Sequence, residues 1–589
     1  MTSMPHNLDR IPLISLMTLA GTWGAEGAPT ILINRIGWPA DAPKTVLVDA
    51  PGIFQVVDAQ GSLVAEGALA KAPADLAGSW WIGRFDQVKA DGMYHVVCGN
   101  ATSPWFAIGA PARAAYRTLA DALVAGFRSR RAPVAGGPGV GAEDGIRSDD
   151  GRHQDYGGGW FDADDTRKFS FTVAIGCEAL SLASSRGQGA VDSAAALEEA
   201  AWGVEFLVKC QDPAGWFIYG ADHPTPFNAK KAFDTLPSRV YIVEPHHPTA
   251  QWRCIGALTA FALAVAAQPS PAPRLTVLAA QAQAAALRGR DHMQAESATW
   301  RTLRDPVRRH RSKTSDMRAD PVDAIEAELF ARVSLHRLAG SPADLSRAHQ
   351  LAQRRAALQV IEPVAGISGM HRYGEDDPEG NPQGLAYHVP KIGGALPWIA
   401  LTELARQGSG EAWRICLARV ADGYLVPISA RNAFDHVPFG VFAGPGPAHR
   451  RLSDDLHYRI FKSGPAFPFT SGRSAVMLNE AAGLAVAARD QGRPEWTRLA
   501  WRQLDFVLGG NPYGHMPRGL QSITIGGRER LVIGPEVTVQ NGVLSAKGTD
   551  AMEDQMVKPA GWPGEEIWLP NSSALLLAVV ELAGDGGGR

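Results

Sequence analysis

The chain of 589 residues has few cysteines and almost no net charge. It contains 57 Lys and Arg against 60 Asp and Glu, which gives a formal net charge of −3. This balance offers no electrostatic reason to expect nucleic-acid or anionic-membrane binding, and a neutral substrate fits it better. The cysteines form no CxxC pair and show no zinc-like spacing, so we expect inert core thiols; they are Cys98, Cys177, Cys210, Cys254 and Cys416.

Long hydrophobic runs are also missing, apart from a short one near the N-terminus. Arg10 precedes the apolar run 11–20, and residues 25–27 resemble a small-residue cleavage site. This pattern predicts a signal peptide within residues 1–28, and therefore a periplasmic or secreted protein. Asp9 weakens the basic region before the run. The alternative is a disordered N-terminus on a cytoplasmic protein. We expect no later segment to reach transmembrane length.

Residues 29–110 are predicted to form a β-sandwich. Short runs rich in β-branched and aromatic residues recur there, separated by turn formers such as Pro51-Gly52 and Asp91-Gly92. About seven strands at this spacing are typical of a two-sheet sandwich. The clearest runs are Ile31–Ile33, Thr45–Val48, Phe54–Val57, Tyr94–Val97 and Trp105–Ile108.

From residue 111 to residue 589 the pattern becomes helical, and six helical hairpins closed into an (α/α)6 barrel would account for it. Apolar spacing predicts twelve helices, near 113–128, 166–184, 192–210, 248–267, 275–294, 321–339, 343–358, 390–406, 410–423, 471–489, 494–508 and 570–583. Loops longer than usual in a compact domain are generally functional. The long connections here are 129–165, 211–247, 359–388, 424–470 and 509–569.

One of these connections contains a cluster of carboxylates. Three glycines at 157–159 precede Trp160, and Asp162, Asp164 and Asp165 follow just before a predicted helix. The positive end of a helix favours ionised carboxylates, and an ionised carboxylate beside a water molecule is what a general base requires. Asp165 is equally an ideal helix N-cap, so a purely structural role for it stays open.

The stretch 157–165 resembles the Gly-Gly-Trp-Tyr-Asp-Ala-Gly-Asp motif of glycoside hydrolase family 9, the cellulase family on an (α/α)6 barrel. Further stretches resemble the same family in order. Residues 33–44 resemble the opening of its immunoglobulin-like domain, 196–211 its second barrel helix, and 323–332 a mid-barrel helix. Residues 504–512 resemble its Leu-Asp-Tyr-Ile-Leu-Gly-x-Asn-Pro signature. The resemblance implies an immunoglobulin-like β-sandwich followed by an all-α (α/α)6 toroid with inverting glycosidase chemistry.

The resemblance also implies roles for single residues. Asp165 matches the general base that activates the attacking water, and Asp162 matches the aspartate that helps to hold that water. The general acid lies six residues before an Asn that opens the last helix, which selects Glu565 before Asn571. A one-residue deletion would select Glu566 instead. Trp160, within the same motif, is expected to bind substrate.

The chain departs from the family pattern at two places. Asp164 stands where the family has Gly, and this third negative charge either raises the pKa of a neighbouring carboxylate and contacts substrate or merely points to solvent. The His-His-Arg segment that follows the Asn-Pro signature is missing, so His515 and Arg518 either replace those sugar contacts or are loop residues. The tandem His246-His247 either contacts substrate or forms the entry to a helix. It lacks the further ligands of a zinc site.

The leading hypothesis is an endoglucanase-like, inverting hydrolase acting on a β-linked glucan or related glycan. The altered sugar-contact loop leaves an exo-acting β-glucosidase or β-glucosaminidase open. A polysaccharide lyase or uronide hydrolase, using Tyr241, His246 or His247, and a glycan-binding protein without catalysis are further alternatives. No cofactor is required by this chemistry. Calcium occurs in relatives of the family, but no Asp/Asn loop here is clear enough to name ligands.

Overall fold

A computed structural model gives the fold of most of the chain. Four of the predicted site residues (Asp165, His246, His247 and Glu565) and the predicted signal peptide lie outside the residues that it describes. The described residues are 28–73, 78–132, 144–147, 151–164, 168–218, 220–222, 239–242, 248–295, 321–372, 386–387, 394–407, 410–446, 450–460, 473–542 and 566–584.

The N-terminal region is a sandwich of two β-sheets. One sheet has the strand order β1-β3-β7-β6, and the other has the order β2-β10-β8-β4-β5 with β9 paired to β8. The immunoglobulin-like part of the predicted fold is thereby confirmed. The strands are β1 (Ile31–Leu32), β2 (Gly37–Trp38), β3 (Thr45–Val48), β4 (Ile53–Asp58), β5 (Leu63–Ala68), β6 (Ala70–Lys71), β7 (Trp81–Arg84), β8 (Gly92–Cys98), β9 (Ala101–Thr102) and β10 (Phe106–Ile108).

Trp38 lies at the centre of the sandwich core. Its ring meets those of Phe85 and Phe106 edge-on, with centroids 5.6 and 5.5 Å away, an arrangement that aromatic pairs favour. The preceding Gly37 has a φ of 99°, and a Cβ there would collide with the carbonyl oxygen of Ala107, where β2 pairs with β10. Glycine at 37 therefore lets the two strands approach closely.

Twelve helices follow in the part of the chain that the structure describes. They are α1 (Ala110–Ser129), α2 (Ser170–Arg186), α3 (Ser193–Lys209), α4 (Pro248–Ala266), α5 (Pro273–Ala295), α6 (Pro321–Ala339), α7 (Pro342–Ala357), α8 (Ala395–Arg406), α9 (Glu411–Val420, continued through a π-turn at Ala421–Leu425 and through Val426–Ser429), α10 (Arg473–Gln491), α11 (Pro494–Val507) and α12 (Leu569–Ala583).

The even-numbered helices form a closed inner ring. Each of them packs against the next, and α12 packs back on α2. The odd-numbered helices pack around the outside, as α3 does on α2 and α11 on α10. This arrangement confirms the predicted (α/α)6 toroid.

The inner helix α4 corrects the expectation that no later segment reaches transmembrane length. Among the described residues it is the one helix that is long and apolar enough to cross a membrane. However, 89% of that stretch is buried inside the protein. A helix that is hydrophobic all round is the type expected in the core of a large domain.

Charged side chains connect the C-terminal ends of the inner helices. Arg186 of α2 donates to Glu581 of α12 at 2.5 Å and lies 3.5 Å from Glu403 of α8. Arg489 of α10 also pairs with Glu581, and Arg337 of α6 lies 3.9 Å from Glu403. Burial alone would raise the pKa of Glu581, but Arg186 and Arg489 outweigh it and lower that pKa. Five inner helices are thus joined at this end of the ring.

The long connections contain β-strands that were expected to be loops. Five short strands form one sheet in the order β12-β11-β15-β14-β13, which joins the connection before α2 to the connection before α4. Another three form the order β16-β18-β17, and β19 and β20 form a hairpin. These strands are β11 (Asp144–Arg147), β12 (His153–Asp155), β13 (Lys168–Phe169), β14 (Gly220–Asp222), β15 (Arg239–Ile242), β16 (Gly440–Ala443), β17 (Arg450–Arg451), β18 (Leu456–Arg459), β19 (Arg518–Ile525) and β20 (Arg528–Thr538).

The sandwich is bonded to the barrel through Asp505 of α11. The Oδ1 atom of Asp505 accepts from the side-chain amide of Asn34 at 2.9 Å and from the indole of Trp38 at 3.0 Å. Arg502 lies 3.8 Å away. Complete burial raises the pKa of Asp505 to about 7. Two of the sequence stretches that carry the family resemblance, 33–44 and 504–512, therefore contact each other.

Candidate active site

Residues 157–164, called here the glycine-rich loop, lie beside the C-terminal end of α1. The amide of Phe161 donates to the carbonyl of Arg130 at 3.0 Å, and the amide of Ala132 donates to the carbonyl of Gly159 at 2.9 Å. Gly159 has a φ of 68°, and a Cβ there would lie 2.8 Å from the ring of Phe206. Both the backbone conformation and the close packing explain why glycine occupies this position.

Trp160 corrects one sequence-based assignment, because its side chain is 0% exposed and offers no surface to a sugar. The indole nitrogen donates to Glu199 at 2.9 Å, and the ring meets Phe127 edge-on at 5.4 Å. Side chains at Gly176 and Gly203 would occupy the space that the ring fills. Trp160 is therefore a core residue that holds the glycine-rich loop against α1, α2 and α3.

Lys168 is a buried charge in the same region that sequence reasoning missed. Its ammonium group donates to the carbonyls of Tyr156 and Gly158, and it lies 4.9 Å from the centroid of the Tyr156 ring. The side chain is 0% exposed. Lys168 thus stabilises the glycine-rich loop by binding two of its backbone carbonyls. A lysine three residues after Asp165 was the feature of the sequence that could have revealed this charge.

Asp162 is buried and lies against the beginning of α12. Its Oδ1 atom accepts from the indole nitrogen of Trp568 at 3.1 Å, and its backbone carbonyl accepts from the amide of Leu569 at 2.9 Å. Ala163 and Trp568 form an antiparallel bridge. The loop that carries the predicted water-holding aspartate is therefore joined to the segment that carries the predicted acid.

Glu566 is half-buried in that segment. Its carboxylate lies 3.3 Å from the side-chain amide of Asn541, and its backbone carbonyl accepts from the Asn541 amide at 2.9 Å. The side-chain oxygen of Asn541 in turn accepts from Asn571 at 3.1 Å. Asn571, the residue that follows Glu565 by six positions, is thus connected to Glu566 by hydrogen bonds through Asn541. The amide of Asn541 was not predicted as a site residue.

Asp164 connects three parts of the chain. Its Oδ2 atom accepts from the backbone amide of Ile567 at 3.1 Å. Its Oδ1 atom accepts from Arg130 at 3.1 Å, and Arg518 lies 3.9 Å away. The side chain is 41% exposed. Of the two residues expected to replace the sugar contacts, Arg518 therefore lies beside the carboxylate cluster.

His515 lies in a tight turn after α11. The side chain of Asn511 accepts from the amides of Tyr513 and His515 and donates to the carbonyls of Phe506 and His515. His515 is 7% exposed, and burial lowers its pKa to about 4. Within the described structure its Nε2 atom has no hydrogen-bond partner. The neutral ring is part of the turn and exposes little surface for a sugar contact.

The same turn occurs once more after α9. Asn432 accepts from the amides of Phe434 and His436 and donates to the carbonyls of Ser429 and His436. Both turns share the spacing Asn-x-x-x-His. This repeat in the sequence was the signal that His515 belongs to a structural turn.

The described part of the site contains no recognisable metal centre. Among the described residues, no group of three or more His, Cys, Asp or Glu side chains could hold a metal ion. All five cysteines are buried as free thiols, as the sequence predicts.

Two family models match consecutive parts of the chain. The model of the cellulase N-terminal ig-like domain matches residues 26–103, and that of glycosyl hydrolase family 9 matches residues 122–311. Residues 122–311 are therefore similar to glycosyl hydrolase family 9. The second match includes the glycine-rich loop and its three aspartates, whereas Glu565 and Glu566 lie beyond it. The family match and the solved structures described next support an O-glycosyl hydrolase of cellulase type.

Solved structures of family 9 proteins have a similar fold. A metagenome-derived family 9 endoglucanase is 19% identical with a TM-score of 0.62, and a family 9 protein from Bacteroides ovatus is 16% identical with a TM-score of 0.65. A single mutant of a thermostable endoglucanase from Alicyclobacillus acidocaldarius is 16% identical with a TM-score of 0.62. Each match covers 94% of this chain and 99% of the other. No curated protein sequence matches the chain.

Proposed function

We propose that this protein hydrolyses a β-linked glucan or related glycan with inversion at the anomeric carbon. Asp165 is the general base, Asp162 helps to hold the attacking water, and Glu565 or Glu566 is the general acid. Endoglucanase activity is the first expectation, because two solved structures with the same fold are described as endoglucanases.

One observation carries the proposal: the two carboxylate-bearing segments lie side by side although they are about 400 residues apart in sequence. The Trp568 indole bonds the carboxylate of Asp162, and the Ile567 amide bonds that of Asp164. An inverting glycosidase needs its acid and base on opposite sides of the scissile bond, with carboxyls roughly 6.5–9.5 Å apart. Adjacent segments at the N-terminal end of α12 are the arrangement from which such a pair can be built.

The surroundings of Asp162 and Glu566 suit this chemistry. Both carboxylates accept hydrogen bonds from neutral groups, the Trp568 indole and the Asn541 amide. Donors of this kind fix the direction of a carboxylate. A carboxylate with a fixed direction can orient a water molecule.

The proposal is tested by the configuration and size of the first products. We would incubate the protein with β-glucans of different linkage, with cello-oligosaccharides and with chitosan oligosaccharides, and follow the products by proton NMR at early times. Initial release of the α-anomer from a β-linked glucan is the expected result. A β-anomeric first product would contradict the roles of Asp165 and Asp162. Release of single sugar units alone would replace the endo-acting expectation with an exo-acting one.

A further inference from the structure

Asp164 makes contacts that a glycine, the family residue at this position, lacks. Its Oδ2 atom accepts from the backbone amide of Ile567, which directly follows Glu566. Its Oδ1 atom accepts from Arg130 at the end of α1. The carboxylate therefore joins the glycine-rich loop, the C-terminal end of α1 and the acid-bearing segment.

The negative charge of Asp164 is matched by two arginines. Arg130 is 14% exposed and also donates to the backbone carbonyl of Ala163, so its position is fixed by two acceptors. Arg518, at the beginning of β19, lies 3.9 Å from the other carboxylate oxygen. With two guanidinium groups beside it, this carboxylate is poorly suited to bind a cationic sugar.

We propose that Asp164 is a positioning residue that holds segment 566–568, which directly follows Glu565 in the sequence, against the glycine-rich loop. The hydrogen bond from Ile567 is the effective contact, and the arginines fix the orientation of the carboxylate that receives it. This inference rests on the proposed function, because it assigns to Asp164 the alignment of the general acid with Asp162 and Asp165. It acts through the acid rather than on the substrate.

Two substitutions separate the hydrogen bond from the charge. Asp164→Asn removes the charge but keeps a side-chain oxygen that can accept from the Ile567 amide. Asp164→Gly restores the family residue and removes the acceptor. Asp41→Asn is the matched control, because Asp41 forms an exposed ion pair with Lys89 in the sandwich. Each variant would be assayed on a cello-oligosaccharide and on an aryl β-cellobioside with a good leaving group.

We expect Asp164→Gly to lose up to about tenfold in kcat on the cello-oligosaccharide, the scale of one hydrogen bond, with KM unchanged. The loss on the aryl glycoside should be much smaller, because that leaving group needs little protonation. Asp164→Asn should lose less than Asp164→Gly on the cello-oligosaccharide, because its one side-chain oxygen can still accept from the Ile567 amide, and Asp41→Asn should match the wild type on both substrates. Equal losses on both substrates with a raised KM would show a substrate contact instead. Equal losses in Asp164→Asn and Asp164→Gly would show that the charge matters and not the hydrogen bond.

Amide hydrogen exchange tests the contact without any substrate. Peptides covering 566–569 should exchange faster in Asp164→Gly than in the wild type, and Asp164→Asn should retain most of the protection. Unchanged exchange in Asp164→Gly would overturn the inference. If the wild type hydrolyses none of the glycans, the proposed function fails, whereas the exchange experiment still decides whether Asp164 holds the segment.

Discussion

The two ends of the helical ring use the same residue types in different ways. At the C-terminal end, Glu581 is buried between two arginines from neighbouring inner helices. At the N-terminal end, Asp162 and Glu566 accept from a neutral indole and a neutral amide. A carboxylate between two guanidinium groups stays ionised and links helices. Asp162 and Glu566, in contrast, lie within three residues in sequence of the proposed base Asp165 and the proposed acid Glu565. The comparison separates charge used for stability from carboxylates placed near the proposed chemistry.

The largest effect is expected at the N-terminal end, from Asp165→Asn. Helix α2 begins at Ser170 with Phe169 at its N-cap position, which corrects the expected capping role of Asp165. The substitution keeps a polar side chain of the same size and removes the base. We expect turnover to fall by roughly two to four orders of magnitude with no loss of thermal stability. Asp192→Asn is the control, because Asp192 caps α3 by accepting from Ala194 and Ala195, and it should change neither property. A destabilised Asp165→Asn with normal turnover would give the residue a structural role instead of a catalytic one.

A large effect is also expected from one of the two adjacent glutamates. The spacing to Asn571 favours Glu565, so Glu565→Gln should lose about two or more orders of magnitude on a cello-oligosaccharide. It should retain much of its rate on an activated aryl glycoside. Glu566→Gln keeps an acceptor for Asn541 and should be tolerated with both substrates. The reverse outcome would make Glu566 the acid, and no dependence on the leaving group in either variant would remove both from that role.

At the opposite end of the ring, Glu581→Gln should reduce stability and leave the chemistry intact. Removing one partner of a buried ion pair costs roughly 3–5 kcal/mol in the free energy of unfolding, which denaturant titration measures. Glu495→Gln, which breaks an exposed pair with Arg493, should cost at most about 1 kcal/mol. The lowered pKa of Glu581 means that its stabilisation is present at neutral pH and is lost as the pH falls through its folded-state pKa, below 4.5. A loss of kcat in the remaining folded Glu581→Gln protein would undo the separation of roles.

A pH dependence of opposite sign is expected at Asp505, where the sandwich meets the barrel. Burial raises its pKa from 3.8 to about 7, so the folded state binds the proton more tightly than the unfolded state. The contribution of this group to stability therefore declines as the pH rises between these values, by up to about 1.4 kcal/mol per pH unit. Asp505→Asn keeps an acceptor for Asn34 and Trp38 and should flatten that decline. An unchanged pH dependence of unfolding would show that Asp505 is ionised in the folded protein.

The sequence predicted the helices well because their boundaries are encoded locally. The helix predicted at 321–339 runs from Pro321 to Ala339, and the one predicted at 494–508 runs from Pro494 to Val507. Proline at the first helical position marks both beginnings. The strands β11 to β15 were missed, because each has only two to four residues. Their pairing joins two connections that are distant in sequence, which no local pattern reveals.

The contacts of the candidate site residues could be predicted only in part. The glycine-rich motif led to the carboxylates, yet it did not show that Trp160 points into the core. That direction depends on Gly176 and Gly203, which leave space for the ring on two other helices. The charge of Asp164 was visible in the sequence. Its pairing with Arg130 and Arg518 was not, because the fold brings these three residues together from separate parts of the chain.

Closure of the inner ring by α12 has a consequence for synthesis of the protein. Helix α2 buries every residue from Ser170 to Ser184, partly against α12, which begins at Leu569. A ribosome adding about 5–20 residues per second needs roughly 20–80 s to make the 400 or so residues between them. Throughout that time the face of α2 that later packs against α12 stays exposed, and Asp162 and Asp164 lack their hydrogen-bond donors from residues 567 and 568. We therefore expect the nascent barrel to bind chaperones and to gain activity only when α12 is inserted.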